Sequence, residues 1–409
     1  MKAMVDVSVL EVLLYDEPIG TFTNLPGDRS IFAFTEAYIA DESRPTLGLH
    51  FKDDLGALRT EFRAYQTKVM PFFSNLLPEE RLRNYLAKRA GVNPQREFYL
   101  LWVLGSDLPG AIRIRSADDN EWPPDAADGP ISSGNVDRKK ALRFSLAGVQ
   151  LKFSAVSAAS GGLTIPVSGI GGSWIVKLPS EKYEGVPENE FSMMTLARLA
   201  GIDVPATQLI DVAEIENLPK DVESLKGQAI AVERFDRLSD GSLVHIEDFA
   251  QVFGVYPEKK YDKASYVNIA AVLAQEAGDE DIREFISRLT FNTLIGNADM
   301  HLKNWSVIYT NRRDARLSPA YDFVSTIPYI PDDEAALKFS RTKRFDEFTY
   351  DELSHLAARA GSPKSLVVNA AKDTVEAFYE AWNQEKSHLP LQQTVIDRIE
   401  GHLRTVPIA

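Results

Sequence analysis

Ile295-Gly-Asn-Ala-Asp-Met-His-Leu-Lys-Asn-Trp-Ser-Val307 is the stretch that decides the fold. It sets Asp299, His301, Lys303 and Asn304 in a short polar run between an apolar helix-like segment and a strand-like one. A second acidic position, Asp322, follows directly after Tyr321 in Ser318-Pro-Ala-Tyr-Asp-Phe-Val324. A carboxylate, an amide oxygen five residues on, and another carboxylate beyond a strand-turn-strand form an arrangement suited to phosphoryl transfer. In such a site the first carboxylate takes the hydroxyl proton, while the amide and the second carboxylate hold magnesium against the phosphates. Mg²⁺ wants hard oxygen ligands and keeps several waters, so Asn304, Asp322 and the phosphate oxygens of a nucleotide suffice.

Upstream, Ser173-Trp-Ile-Val-Lys-Leu178 reads as a strand with one cation, Lys177, among apolar neighbours. A lysine in such a strand is most often a snorkelling surface residue. Here, however, Pro187-Glu-Asn-Glu-Phe-Ser-Met-Met-Thr-Leu-Ala-Arg-Leu-Ala-Gly201 carries helix signals, with Pro and Glu early and Gly at the stop. A strand lysine clamped by a helix glutamate and reaching the nucleotide phosphates is the protein-kinase arrangement, and the Asp299-to-Asn304 spacing is that of the kinase catalytic loop. Glu190 is the better partner for Lys177 than Glu188; both also suit the positive end of a helix. In Ser145-Leu-Ala-Gly-Val-Gln-Leu-Lys152, small Ala147 and Gly148 let backbone N–H groups approach phosphate oxygens, and Lys152 adds a charge. Alone, that glycine reads as a turn or bulge. Val232-Glu-Arg-Phe-Asp-Arg237 ends a strand where a hinge between lobes belongs, so Glu233, Arg234 and Phe235 are placed at the adenine edge.

Strand-like patterning before residue 236 and helix-like patterning after it predict an α+β, two-lobed, protein-kinase-like fold. The expected parts are a small-sheet subdomain over 1–115, an acidic Pro-rich linker over 116–138, a nucleotide-binding lobe over 139–235 and an all-helical lobe over 236–409. Asp16-Glu-Pro-Ile-Gly20 reads as a turn between the first two strands. Helices are expected after Pro78 as far as Leu86, and at about 96–104, 266–277, 279–296, 349–360, 364–382 and 391–405.

The chain has 409 residues, 45 Lys and Arg against 59 Asp and Glu, and a net charge of −14, which argues against a surface built wholly to sheathe nucleic acid. Cysteine is absent, so disulfides and thiolate metal sites are excluded. Six histidines occur and none pairs with another at ligand spacing, which disfavours zinc hydrolysis and leaves His301 as a brace for its loop. Asp6 interrupts the first apolar run and no run reaches membrane-spanning length, so a soluble, cytoplasmic protein is expected. Lys338-Phe-Ser-Arg-Thr-Lys-Arg-Phe345 gathers four cations; it reads as a solvated loop, or as a phosphate contact used beside a DNA-binding partner.

With these residues in hand, the chain resembles the HipA family of serine/threonine kinase toxins from bacterial toxin–antitoxin modules. The likeness runs through Phe73-Ser-Asn-Leu-Leu-Pro-Glu, the Ser145–Lys152 run, Ile175-Val-Lys-Leu-Pro, Glu188-Asn-Glu-Phe, Val232-Glu-Arg-Phe-Asp-Arg, Gly296-Asn-Ala-Asp-Met-His-Leu-Lys-Asn and Tyr321-Asp-Phe. It implies ATP and Mg²⁺ as cofactors, Asp299 as catalytic base, Asn304 and Asp322 as magnesium ligands, and Lys177 on the phosphates. It further implies Ala147, Gly148, Val149, Gln150, Leu151 and Lys152 as phosphate loop, and Ser145 as an inactivating autophosphorylation site. The family usually has Ala and Glu where Val149 and Leu151 stand here. The implied partners are a small helix-turn-helix antitoxin, through which DNA is reached, and a protein substrate such as an aminoacyl-tRNA synthetase. Two rivals share the residue pattern: a catalytically weak co-repressor acting with the antitoxin, and a small-molecule phosphotransferase.

Overall fold

Val9–Leu14 and Glu17–Leu25 form the first hairpin, and its turn is tighter than expected. Tyr15 and Asp16 both adopt positive φ (53° and 65°), the geometry of a two-residue turn matched to strand twist. The turn is therefore confined to Tyr15-Asp16, not spread over 16–20. Gly20 lies within the second strand, where a Cβ would meet the Phe32 ring at 2.6 Å and the Ala33 carbonyl at 2.7 Å. A computed structural model of the chain describes residues 8–118, 152–157, 163–165, 172–180, 182–218, 225–330 and 334–409. Ser145, Ala147, Gly148, Val149, Gln150, Leu151 and most of the acidic linker lie outside the described residues.

The amino-terminal unit is a five-stranded antiparallel sheet in the order Tyr65–Gln66, Arg29–Phe34, Glu17–Leu25, Val9–Leu14, Ile112–Ser116. Alternating Leu10, Val12 and Leu14 point inward and are fully buried. Phe22 meets Phe73 edge-on at 4.7 Å and Phe51 meets Phe72 at 4.8 Å, so an aromatic cluster seals sheet to helix. Helix Glu80–Ala90 stops where Gly91 takes the left-handed conformation, and Glu97–Leu104 is buried on every side.

A six-stranded sheet follows in the order Ile215–Glu216, Leu163–Thr164, Lys152–Ser157, Trp174–Lys177, Gln228–Glu233, Thr207–Asp211. Its inner residues Phe153, Val176, Ala229 and Ala231 join the apolar interior of the first sheet in one continuous core. The register sets Lys152 directly opposite Lys177 on neighbouring strands, so both side chains leave one face of the sheet. Helix Val186–Leu199 turns Met193, Met194, Leu196 and Ala197 into a second core made with everything after Phe249.

That second lobe is mainly helical: Tyr266–Glu276, Asp279–Leu294, Tyr350–Ala360, Lys364–Glu385 and Gln393–Leu403. It is not all helical, as expected above. His245–Asp248, Ser306–Tyr309 and Arg316–Leu317 make a three-stranded sheet, with Ser306–Tyr309 in the middle and buried throughout. A four-residue strand buried on both faces has no alternation to announce it. The helix expected to reach residue 296 ends at Leu294; Gly296 then turns the chain with φ 64° toward Asp299. Among the described residues no helix is long and apolar enough to cross a membrane.

Glu247 locks the amino-terminal unit onto this small sheet. Fully buried, it accepts the Leu49 N–H at 2.7 Å and the Tyr309 hydroxyl, and its Oε2 has no partner. Burial pushes its pKa up to about 8, from an ordinary 4.5. A raised folded pKa means that the acid supports folding while protonated. That contribution is complete below about pH 4.5 and is lost as pH rises toward 8, because the unfolded chain ionises first. Glu247→Gln keeps an acceptor for Leu49 and removes the titration, so its melting temperature should fall less between pH 5 and 8 than the wild type's. Thermal melts across that range check this; parallel curves would place the pH sensitivity elsewhere.

Candidate active site

Lys177 ends its strand at the floor of a cleft, 5% exposed, with its ammonium between the carboxylates of Glu190 and Asp322. Helix phase decides between the two candidate glutamates. Glu190 is buried on the side facing the sheet, whereas Glu188 is half-buried and uses its backbone carbonyl to accept the Ser192 hydroxyl. Burial alone would drive the Lys177 pKa down; Asp322 and Glu190 overcome this and hold it above the ordinary lysine value. Across the strand pair, the Lys152 ammonium lies 3.7 Å from the other Asp322 oxygen. Burial would raise the pKa of Asp322, but Lys152 and Lys177 keep it ionised, well below the usual carboxylate range. Asp322 also sits at φ 58°, a left-handed conformation that costs a non-glycine residue energy and places its carboxylate under the sheet.

The loop after Gly296 is tied by its own polar groups. Asn297 Oδ1 accepts the Asp299 N–H at 3.0 Å, and its amide nitrogen donates to Asn292 Oδ1 at 2.8 Å. Asn304 Nδ2 donates to the Asp299 carbonyl at 2.9 Å, which closes the loop and leaves its Oδ1 without a hydrogen bond among the described residues. The Asp299 carboxylate opens to the cleft mouth and accepts the Tyr261 hydroxyl at 2.5 Å. Surrounding protein raises its pKa, against the pull of Tyr261 and Lys260. His301 is buried, its ring edge-on to Tyr261 at 5.0 Å and its Nδ1 unpartnered. Burial, with Lys260 adding to it, lowers the His301 pKa to about 3, so the ring is neutral. Lys303 lines the same space, but its ammonium donates to the Asn75 carbonyl at 2.8 Å and lies 3.2 Å from Glu79.

At the hinge, the backbone N–H groups of Glu233 and Arg234 are taken by the carbonyls of Ala206 and Ser173. The Arg234 guanidinium is buried against Asp236 at 2.9 Å and Asp107 at 3.3 Å, so it braces the hinge. The Phe235 N–H has no partner among the described residues, and the Phe235 ring lies 5.9 Å from that of Tyr321.

One cavity of about 310 Å³ lies between the sheet and the helical lobe. The structure thus brings together Lys152, Lys177, Glu190, Glu233, Arg234, Phe235, Asp299, His301, Lys303, Asn304, Tyr321 and Asp322. Its apolar wall includes Ile175, Val186, Val232 and Ile246. Among the described residues no three His, Cys, Asp or Glu gather as a metal cluster. A magnesium ion that keeps its waters and shares phosphate oxygens needs no such cluster. An amide whose nitrogen is committed elsewhere and a carboxylate held ionised are donors that fit it. Sequence reasoning did not single out Asn75, Glu79, Lys260 and Tyr261, which also line the cavity. Asn75 and Glu79 stood inside the Phe73–Glu79 run; nothing local marked Tyr261.

Residues 10–115 match the family model described as HipA N-terminal domain, and residues 144–382 the one described as HipA-like C-terminal domain. The "Putative kinase Y4dM" of Sinorhizobium fredii is 57% identical over 408 residues, covering 99% of this chain and 98% of its own length. The "Serine/threonine-protein kinase toxin HipA" of Shewanella oneidensis is 26% identical over 350 residues, 74% of this chain and 73% of its own. Among solved structures, a chain of the Shewanella oneidensis complex of HipA, HipB and operator DNA aligns with TM-score 0.71 at 23% identity. The alignment covers 97% of this chain and 95% of that one, a likeness of fold. With family models matched in both halves and a relative this similar over nearly its whole length, the chain belongs to the HipA family.

Proposed function

We propose that the protein is an ATP- and Mg²⁺-dependent serine/threonine protein kinase acting as the toxin of a toxin–antitoxin module. One observation carries the reading: a buried lysine clamped between Glu190 and Asp322 shares a nucleotide-sized cavity with Asp299 and Asn304. The adenine lies against the apolar wall, with the Phe235 N–H available to its edge. Lys177 and Lys152 would hold the phosphates, and the Asp322 carboxylate with Asn304 Oδ1 would hold magnesium. Magnesium, when bound, neutralises charge on the transferring phosphoryl group. Asp299, steadied by Tyr261, would orient the acceptor hydroxyl and take its proton as its oxygen bonds the γ-phosphorus and the bond from that phosphorus to the departing ADP breaks.

Two relatives support the wider setting: one is named a serine/threonine-protein kinase toxin, and a chain of similar fold was solved with HipB and operator DNA. We assign this chain a small helix-turn-helix antitoxin and a translation component, such as an aminoacyl-tRNA synthetase, as substrate. DNA would be reached through the antitoxin. The cations of 338–345 support this division, because Arg341 pairs with Asp351 and Glu352, Arg344 pairs with Asp346, and Lys343 donates to the Ala336 carbonyl. Autophosphorylation at Ser145 would add nearly two negative charges beside a loop built for phosphate and so switch the kinase off.

The test is incubation of the purified chain with γ-labelled ATP and a cytoplasmic extract. Label should enter a distinct protein band and, in time, the kinase itself at Ser145. Label appearing only in a small metabolite, with none in any protein, would overturn the protein-kinase reading.

A further inference from the structure

The amino-terminal unit reaches into the cleft at one carboxylate. Glu79 occupies the cap position before helix Glu80–Ala90, a position where Ser, Thr, Asp and Asn are favoured, and its side chain caps nothing. It turns inward instead and is 8% exposed. Glu80 beside it takes φ 41°, a costly conformation for a residue with a side chain, so the backbone is bent where Glu79 enters the cleft. The two carboxylate oxygens go to different segments of the other lobe. Oε2 accepts from Lys260 Nζ at 2.9 Å, and Oε1 lies 3.2 Å from Lys303 Nζ.

Those two lysines flank the reacting centre from both sides. Lys303 precedes Asn304, whose amide closes the Asp299 loop. Lys260 precedes Tyr261, whose hydroxyl holds the Asp299 carboxylate, and the Lys260 carbonyl accepts the Leu302 N–H at 3.3 Å. Beside those two bonds, one buried acid from the amino-terminal unit bridges the segment carrying Tyr261 and the segment carrying Asn304. Without its charge, Lys303 would keep the Asn75 carbonyl and Asp248, 3.7 Å away, whereas Lys260 would lose its one ion pair among the described residues and would move toward water.

We propose that Glu79 is a positioning residue of the active site, which makes the amino-terminal unit a working part of phosphoryl transfer. The effect on turnover rests on the kinase reading above; the clasp itself does not. Glu79→Gln preserves the shape and removes the charge. It should lower kcat by on the order of 10²-fold, as expected for a catalytic loop displaced by about 1 Å. KM for ATP should change little, because Lys177 and the hinge are untouched. Glu79→Asp, which keeps the charge, should recover much of the loss. Amide hydrogen exchange should rise in Glu79→Gln in the peptides spanning 258–264 and 299–306.

A second variant, Phe22→Leu, loosens the same amino-terminal core without touching the clasp. At a matched loss of melting temperature it should keep its kcat; an equal fall in kcat would reduce Glu79 to a general support and overturn the proposal. Unchanged exchange in Glu79→Gln would also overturn it. A wild type that transfers no phosphate would sink the kinase reading, while the exchange measurement would still decide the clasp.

Discussion

Asp299→Asn should reduce transfer of the γ-phosphate by about 10³-fold, within the range typical for loss of a general base, while nucleotide affinity and melting temperature stay close to the wild type's. The reason is how little else the carboxylate does. Its one hydrogen bond among the described residues, from the Tyr261 hydroxyl, can be accepted equally by the asparagine oxygen. The loop itself is held by backbone groups and by the amides of Asn297 and Asn304, none of which the substitution alters. What disappears is an acceptor for the substrate's proton, in a position where the surrounding protein already favours protonation. Single-turnover transfer to a protein acceptor, with calorimetric binding of a non-hydrolysable ATP analogue alongside, separates chemistry from binding. Retention of more than about a tenth of wild-type transfer would remove Asp299 from the role of base, and loss of nucleotide affinity would make it a binding residue instead.

The parts of this molecule legible in its sequence are those fixed by short-range chemistry. The Asp299-to-Asn304 spacing is closed by a hydrogen bond between those two residues, so linear distance translates directly into geometry. The pairing of Lys177 with Glu190 was readable because one strand and the next helix carry it, thirteen residues apart. The helix expected to stop at Ala360 does so, with Gly361 in the left-handed conformation at its end. The misses have the opposite character. The turn at Tyr15-Asp16 has neither Asn-Gly nor Asp-Gly to announce its positive φ values, and the only nearby glycine, Gly20, was needed for a tight approach to Phe32. The small sheet of the second lobe pairs His245–Asp248 with Ser306–Tyr309, a partnership some sixty residues apart that no local pattern encodes. Glu79 is 181 residues from Lys260, and before folding it is only one acid of an acidic chain.

Lys177→Met tests the clamp most severely, because it should cost stability as well as activity. Glu190 and Lys177 are nearly inaccessible to water, and Asp322 is mostly covered. With the ammonium gone, two carboxylates face each other beneath the sheet, and only Lys152, 3.7 Å from Asp322, remains as a counter-charge. Breaking a buried ion pair from one side typically costs about 3–5 kcal/mol. Transfer activity should fall below detection, since Lys152 would be the one described cation left at the sheet's end and would be held by Asp322. The double variant Lys177→Met, Glu190→Gln then separates the two effects. Removing the orphaned charge should return part of the lost stability, while activity stays absent, because a neutral amide restores no cation. Chemical denaturation of the wild type, both single variants and the double variant completes the cycle. Simple additivity would mean that Lys177 and Glu190 do not depend on each other; a double variant more stable than Lys177→Met alone would show that the glutamate is tolerated in the cleft chiefly as the lysine's partner.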